Sequence, residues 1–557
     1  MLLFLLFICV GSVLCDDERE SRVVTIKQGS VRGYKHPDGD FFVFHSIPYA
    51  TAPTGSQRFQ APLPPPIWLD TYEAVDKGIV CPQYNYFGYV FNNSKEAKEN
   101  CLFANVYVPN TKEKNLPVLV NIHGGGYQIG YGDLVTPRHL AMTKRAIIVN
   151  FNYRLGAHGF LCLGTKDVPG NAGMKDQVAL LRWVQDNIAS FGGNPDDVTI
   201  TGCSAGSFSV DLLLLSKMAN NLFKKVIPES GANTAPVSVQ MDPINNAKKY
   251  AKRLNFTDVD DIYALENFYK TVSYDTLLSI DAMSDIDIMY TFSPCVERDT
   301  GVERFLDDNP INILKSGNYQ KRPMLYGFAN MEGLFRVNLF DAWKDKMNAN
   351  FADFLPADLQ FENEEQKEAV AAKIKQFYFN DTPITGDKIQ RFIDYYSDIT
   401  FTYSTLRSTR LQVEAGNTQI YLYVFSYVDD ESPPAVPDTN IRGANHCAQT
   451  MIVHDGRNLT HSDETNISED MRNMKLMLRD MWLNFVVTGK PVLEGSSYPA
   501  WPATGADGAP YMILDKIPEV KTRPMLEDTI RFWDGIYSKH QRYPIPPGDP
   551  SPKHTEL

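Results

Sequence analysis

The chain has 557 residues, of which 43% are hydrophobic and 22% are charged, so it is long enough to bury a large core. Its formal net charge is −13 and it has no long basic block, which argues against nucleic acid and anionic membrane surfaces as partners. Large α/β enzymes with insertions reach this length as one catalytic unit.

The chain begins with an apolar run, MLLFLLFICVGSVLC, that ends before the acidic DDERE. We predict a secretory signal peptide at residues 1–15, because the run is too short to span a bilayer and a small-residue cleavage site precedes Asp16. A membrane anchor is the alternative. No later stretch approaches about 18 consecutive apolar residues, so we predict no membrane span after residue 15.

Six cysteines follow the predicted signal peptide, and an oxidising lumen would favour pairing among them. They are Cys81, Cys101, Cys162, Cys203, Cys295 and Cys447. Cys81 and Cys101 lie close in sequence. A disulfide between them would raise the free energy of unfolding by about 3 kcal/mol, because it reduces the entropy of the unfolded chain. Glycosylation sequons that agree with a secretory route lie at Asn92, Asn255, Asn458 and Asn466. The sequon at Asn380 has a proline after its threonine and is the weakest.

Buried-strand patterns alternate with helical ones along the chain. Strands are predicted at LPVLVNIHG (116–124), RAIIVNFNYR (145–154), DVTITG (197–202), KKVIPES, RPMLYGFAN and QIYLYVFSY. Helices are predicted at 175–192 and at AGSFSVDLLLLSKM, which follows DVTITG. This alternation predicts an α/β fold with a large, mostly parallel sheet, whose ligands sit at the carboxyl ends of strands. Helical cap insertions are predicted near 242–310 and 341–403.

The prediction for organisation is one domain over 16–540, followed by an extended, Pro-rich tail over 541–557. The tail ends in KHTEL, which is similar to the Lys-Asp-Glu-Leu class of retention signals. The tail therefore predicts, as a partner, a retention receptor that reads His554-Thr555-Glu556-Leu557. The predicted compartment is the secretory pathway, with retention in the lumen of the endoplasmic reticulum and secretion both left open.

The pentapeptide Gly202-Cys203-Ser204-Ala205-Gly206 matches G-x-S-x-G, with a strand before it and a helix after it. This context is typical of a strand-to-helix elbow that exposes a nucleophilic serine, here Ser204. The alternative is a glycine-rich turn with an unreactive serine. Cys203 has no basic neighbour in sequence to lower its pKa, so we interpret it as a space-filling residue, while leaving open a contact with Cys447.

A second glycine run, His123-Gly124-Gly125-Gly126, ends a predicted strand. Glycines there let backbone N–H groups face a developing oxyanion. We predict Gly125, Gly126 and Ala205 as the donors and interpret His123 as structural. The rival is a phosphate-binding loop, but no Gly-Lys-Ser/Thr follows.

A nucleophilic serine needs a base, and the base needs an orienting carboxylate. His446, in a glycine-started loop after a strand, is the candidate base, whereas His454 and His461 are interpreted as surface residues and His540 and His554 as tail residues. Glu332, just past a strand end, is the candidate acid. Its nearby rivals are interpreted as solvated charges: Asp341, Asp299 and Glu297.

Four further stretches accompany these motifs: PGNAGMKDQVALLRWVQDNIASFGGNPDDVTITGCSAGS, NCLFANVYVP, HSIPYATAPTGSQRFQAP and YRLGAHGF. With them, the chain resembles the carboxylesterase/cholinesterase family. The resemblance covers about residues 23–533 and implies an α/β-hydrolase fold. It implies Ser204 as nucleophile, Glu332 as acid, His446 as base, and Gly125, Gly126 and Ala205 as oxyanion donors. It also implies a Cys81–Cys101 disulfide and no cofactor or metal.

The chain departs from the family pattern in two respects: the side chains beneath the catalytic triad, here called the site floor, and the residues that determine substrate specificity. Cys203 stands where most members carry glutamate, and Ala448 and Gln449 stand where many carry acids, so a less negative site floor is predicted. A second family disulfide, after Ser230-Gly231, has no cysteine pair. The absence of tryptophan between Cys81 and Cys101 argues against choline esters.

The resulting expectation is a carboxylesterase similar to insect enzymes, which cleaves apolar xenobiotic, odorant or lipid-like esters through an acyl-enzyme. A slow scavenger of esters or organophosphates and a non-catalytic, cholinesterase-like adhesion protein are the alternatives.

Overall fold

The computed structural model describes residues 19–84, 95–280, 291–380, 382–455 and 464–548. Within these ranges the strands are β1 (Ser21–Ile26), β2 (Gly29–Lys35), β3 (Phe41–Pro48), β4 (Tyr72–Glu73), β5 (Ile79–Val80), β6 (Glu96–Ala97), β7 (Phe103–Pro109), β8 (Leu116–Ile122), β9 (Ile147–Phe151), β10 (Gly193–Cys203), β11 (Lys225–Glu229), β12 (Met324–Ala329), β13 (Ile420–Phe425), β14 (Tyr511–Leu514) and β15 (Glu519–Lys521).

The helices of the same ranges are α1 (Arg138–Met142), α2 (Gly156–Phe160), α3 (Ala172–Asn187), α4 (Ala205–Leu213), α5 (Pro243–Arg253), α6 (Ile262–Thr271), α7 (Tyr274–Leu277), α8 (Pro310–Ser316), α9 (Phe340–Ala349), α10 (Glu364–Phe379), α11 (Ile389–Ser397), α12 (Tyr403–Glu414), α13 (Ala448–Val453), α14 (Glu469–Thr488) and α15 (Glu527–His540). The predicted cap insertions are helical: they contain α5 to α7 and α9 to α11.

One sheet joins the strands in the order β1-β2-β3-β7-β9-β8-β10-β11-β12-β13-β14-β15, and β4 lies beside β2. The central strands, from β9 to β14 in this order, run parallel to their neighbours. The flanks, β1, β2, β3 and β7 on one side and β15 on the other, pair antiparallel. The α/β prediction is therefore confirmed, with antiparallel edges that the strand patterns did not indicate.

Alternate side chains of each central strand pack into two apolar layers, one on each face of the sheet. Val118 and Val120 of β8 belong to the layer that holds α3 and α4, whereas Leu119 belongs to the layer that holds α14. Successive residues of a strand point to opposite faces, so both faces of the sheet are covered. Because the central strands are parallel, the segments that follow β8, β10, β12 and β13 all emerge at the same edge, where the candidate site lies.

Candidate active site

Ser204 stands alone between β10 and α4, with φ 60° and ψ −123°. This backbone conformation is costly for a non-glycine residue, and its neighbours enforce it. A Cβ on Gly202 would lie 2.5 Å from the backbone of Gly206, and a Cβ on Gly206 would lie 2.1 Å from the Ile122 carbonyl oxygen. The chain therefore crosses itself at the turn, which explains why glycines stand two residues before and two after the serine.

The glycine run follows β8 and packs against this elbow. A Cβ on Gly124 would meet the Ser204 Cβ at 3.1 Å. Gly125 and Gly126 have φ 112° and 62°, and the Gly125 carbonyl accepts hydrogen bonds from the backbone N–H groups of Gln128 and Ile129. In a trans peptide the next N–H points opposite to the carbonyl, so the Gly126 N–H points away from that turn.

Glu332 and His446 are in direct contact, although 114 residues separate them. Glu332 begins the 3₁₀ helix Glu332–Leu339 after β12, and it is 0% exposed. Its Oε1 accepts the Ala329 N–H at 2.7 Å, and its Oε2 lies 2.5 Å from His446 Nδ1. A carboxylate accepts the Nδ1 proton, which leaves Nε2 of the neutral ring as a proton acceptor. The ring packs on Phe401 and Phe335, with centroid separations of 4.3 and 5.3 Å.

The rival histidines and acids have other surroundings. His454 is 2% exposed, so its interpretation as a surface residue is wrong: it lies where α13 meets α14, and burial lowers its pKa to about 4. The interpretation of Glu297 as a solvated charge is also wrong, because Glu297 is 1% exposed and its Oε1 lies 2.6 Å from Lys175 Nζ. His123 is buried, and its ring stacks on Tyr153, in agreement with a structural role.

Three disulfides are formed among the described residues. Cys81–Cys101 agrees with the pairing that the resemblance implied, and its Cα atoms lie 5.0 Å apart. Cys162 pairs with Cys295, with a Cα separation of 6.7 Å. Cys203 and Cys447 are also bonded, with a Cα separation of 6.0 Å, so the space-filling interpretation of Cys203 as a lone thiol is wrong. These bridges fit folding in an oxidising compartment of the secretory pathway.

The floor beneath the elbow holds a carboxyl group that the sequence reasoning missed. Glu229 ends β11, pairs with Cys203 of β10 across the sheet, and is 1% exposed. Thr450 donates to its Oε2 at 2.7 Å and Thr201 to its Oε1 at 3.1 Å, while Trp482 Nε1 lies 3.4 Å from Oε1. The prediction of a less negative floor did not take account of this acid, which stands at the strand end of KKVIPES, a position at the same edge as Ser204.

Replacing Glu229 with glutamine is expected to change how stability depends on pH. Burial raises the pKa of Glu229 from 4.5 to about 7, against the hydrogen bonds from Thr450, Trp482 and Thr201 that lower it. Between these values the unfolded chain has lost a proton that the folded chain retains, so stability falls as pH rises, by up to about 3 kcal/mol. Urea unfolding at pH 5 and pH 8 measures this loss in the free energy of unfolding. The loss between the two pH values should be smaller for Glu229→Gln than for wild type, and equal losses in the two proteins would contradict the prediction.

Some predictions fall outside the described residues and stay predictions: the signal peptide, Asn92, Asn458, His461 and residues 549–557. Asn255 and Asn466 are exposed, as glycosylation requires. None of the described helices is long and apolar enough to cross a membrane.

Comparisons with known proteins give a consistent result over nearly the whole chain. The sequence profile of the Carboxylesterase family matches residues 20–533. Juvenile hormone esterase of Heliothis virescens is 31% identical over 97% of this chain and 98% of that protein. A carboxylic ester hydrolase of Bombus ignitus is 32% identical over 85% of this chain and 86% of that protein.

The fold is also similar to solved structures. The crystal structure of juvenile hormone esterase from Manduca sexta, with OTFP covalently attached, superposes with a TM-score of 0.83 at 29% identity and covers 93% of this chain and 100% of that one. A PNB esterase gives a TM-score of 0.71 at 26% identity, with 92% of this chain and 99% of that chain covered. The fold is thus that of an α/β hydrolase, and the chain belongs to the carboxylesterase family of ester hydrolases.

Proposed function

We propose that this enzyme hydrolyses apolar carboxylic esters through an acyl-enzyme on Ser204. His446 is the general base and acid, Glu332 orients its ring, and Gly125, Gly126 and Ala205 supply the oxyanion donors. The observation that carries the proposal is the Glu332–His446 contact at 2.5 Å, with a ring nitrogen of His446 within 4.8 Å of the Cys203 sulfur. Cys203 directly precedes Ser204, which has the strained backbone of the elbow. Such a serine, base and acid set is the arrangement that activates a hydroxyl for attack.

In the first half-reaction, Ser204 Oγ attacks the ester carbonyl carbon while its proton passes to His446 Nε2. Glu332 stabilises the imidazolium through the Nδ1 hydrogen bond, and the backbone N–H groups stabilise the oxyanion of the tetrahedral intermediate. Collapse of that intermediate expels the alcohol, which takes the proton from His446. In the second half-reaction, water attacks the acyl-enzyme with His446 again as base, and the acid product leaves Ser204.

Two observations support the covalent route and the apolar substrate class. The similar Manduca sexta esterase carries OTFP covalently attached. The surroundings of His446 are aromatic: Phe335 and Phe401 contact its ring, and Phe208 stacks on Phe401 with centroids 6.4 Å apart. Aromatic surroundings favour apolar acyl or alcohol groups, because contact with the rings removes such surface from water.

Pre-steady-state kinetics with 4-nitrophenyl acetate test the acyl-enzyme. A burst of one 4-nitrophenol per enzyme, followed by sustained turnover, is the expected result. The absence of both burst and turnover would overturn the proposal in favour of a non-catalytic protein. A burst with negligible turnover would overturn it in favour of a scavenger.

A 4-nitrophenyl ester series tests the substrate class. Butyrate has two more methylenes than acetate, and each buried methylene is worth about 0.8 kcal/mol, so kcat/KM for the butyrate should exceed that for the acetate by about 15-fold. Acetylthiocholine is the matched cationic ester and should be a poor substrate. Equal kcat/KM for acetate and butyrate, or a preference for acetylthiocholine, would contradict an apolar site.

A further inference from the structure

The Cys203–Cys447 disulfide joins the residues that flank the proposed nucleophile and base. Cys203 directly precedes Ser204, and Cys447 directly follows His446. The two cysteines are 244 residues apart in sequence, and their Cα atoms lie 6.0 Å apart. The two sulfur atoms and a ring nitrogen of His446 lie within 4.8 Å of one another. The bridge is therefore part of the site and not a distant stabiliser.

The chain that carries His446 has little regular structure to hold it. Residues 426–447 contain no helix or strand, and α13, which follows, is a helix of six residues. Glu332 and the two phenylalanine rings fix the His446 ring from one side. The disulfide connects the loop to β10, the strand that also positions Ser204. The bridge thus fixes the nucleophile and the base to one element.

The backbone of Cys447 gives independent support for a specific role of its side chain. Its φ is 62°, in the left-handed region that favours glycine. A cysteine there is strained relative to glycine, and such strain persists only where the surrounding structure enforces it. The interaction that its side chain makes is the bond to Cys203.

We propose that the Cys203–Cys447 disulfide positions His446 against Ser204, and that reduction of this disulfide by a dithiol lowers ester turnover. The inference rests on the proposed roles of Ser204 and His446. Cys203 is partly exposed, whereas the other five cysteines are at most 4% exposed, so a reductant reaches this bridge first. The activity of the enzyme then reports the thiol–disulfide balance of its surroundings.

The reduction is an ordinary thiol–disulfide exchange. A thiolate of the dithiol attacks the Cys203 sulfur, the Cys203–Cys447 bond breaks, and Cys447 leaves as a thiolate that takes up a proton. The second thiol of the reductant then attacks the mixed disulfide and releases Cys203. The dithiol is oxidised to its disulfide, and its two hydrogens end on Cys203 and Cys447.

The test measures ester turnover and melting temperature for the double variant Cys203→Ala/Cys447→Gly. Glycine suits the backbone at residue 447, so this variant removes the bridge and relieves the strain. A displacement of about 1 Å in catalytic geometry can cost about 100-fold. We expect kcat to fall about 10- to 100-fold with KM changed less than threefold. The matched control is Cys162→Ala/Cys295→Ala, which should lower the melting temperature and leave kcat within twofold at 15 °C.

The unmutated enzyme gives a second measurement that does not depend on how the variants fold. Brief treatment with dithiothreitol should lower its kcat to the level of the double variant, and reoxidation should restore it. Mass mapping should find new free thiols at Cys203 and Cys447 only. The double variant itself should not respond to the reductant.

Three results would overturn the inference. They are a kcat for the double variant within twofold of wild type, an unchanged kcat in wild type whose Cys203–Cys447 bond is reduced, and mapping that finds no such bond in the native enzyme. The two kcat results presuppose a wild type that turns esters over, whereas the mapping does not. A wild type without turnover would instead overturn the proposed function, so the two failures are distinguishable.

Discussion

Replacing Ser204 with alanine is expected to lower kcat for 4-nitrophenyl esters by about 10⁵-fold or more, since the acyl acceptor is removed. The residual rate would come from the oxyanion donors and from substrate binding alone. Alanine keeps the Cβ and therefore the same backbone constraints at φ 60°, so the elbow and the fold should persist. Steady-state kinetics and a melting curve check both statements.

Ser209→Ala is a suitable control for this prediction. Ser209 lies on the helix that follows the elbow, is 0% exposed, and accepts a hydrogen bond from Gln177 at 3.2 Å. Its removal should reduce stability by about 1 kcal/mol and leave kcat within a few-fold of wild type. A Ser204→Ala enzyme that retains 1% of wild-type kcat would show that another nucleophile carries the reaction.

The central strands and the elbow were predictable because their signals are local. Apolar runs that end on glycine mark β8 and β10, and G-x-S-x-G between a strand and a helix marks the turn at Ser204. Parallel strands place the segments after them at one edge, so the proximity of Glu332 to that edge followed from its position just past a strand. The contact between Glu332 and His446 needed the family resemblance, because the histidine loop has no regular pattern.

Features that depend on distant pairing were not predictable. The antiparallel edge strands carry short or mixed patterns. The sequence could only leave the Cys203–Cys447 contact open, because the two cysteines are 244 residues apart. The burial of His454 and Glu297 arises from helices and ion-pair partners far away in sequence, such as Lys175. Glu229 was missed for a similar reason: a charge at a strand end looks solvated until a tryptophan and two threonines, one of them on α13, enclose it.

The second large effect is expected for Glu332→Gln, which should lower kcat by about 10⁴-fold with little change in stability. The Ala329 N–H donates to Oε1, so the carbonyl oxygen of the glutamine should take that position. The amide nitrogen then faces His446 Nδ1 and can only donate to it. The ring proton must move to Nε2, and in that tautomer Nε2 cannot accept the proton of Ser204.

Asp358→Asn is the matched control, because Asp358 is another buried acid, accepts from the Tyr537 hydroxyl at 2.8 Å, and has its pKa raised to about 6 by burial. It should keep kcat within twofold of wild type, since the same change from acid to amide occurs away from His446. A comparable loss of kcat in both variants would indicate that the loss comes from destabilisation of the fold when a buried acid is replaced, and not from the orientation of His446. A Glu332→Gln enzyme with a tenth of wild-type kcat would exclude Glu332 as the orienting acid, because the wrong tautomer cannot support that rate.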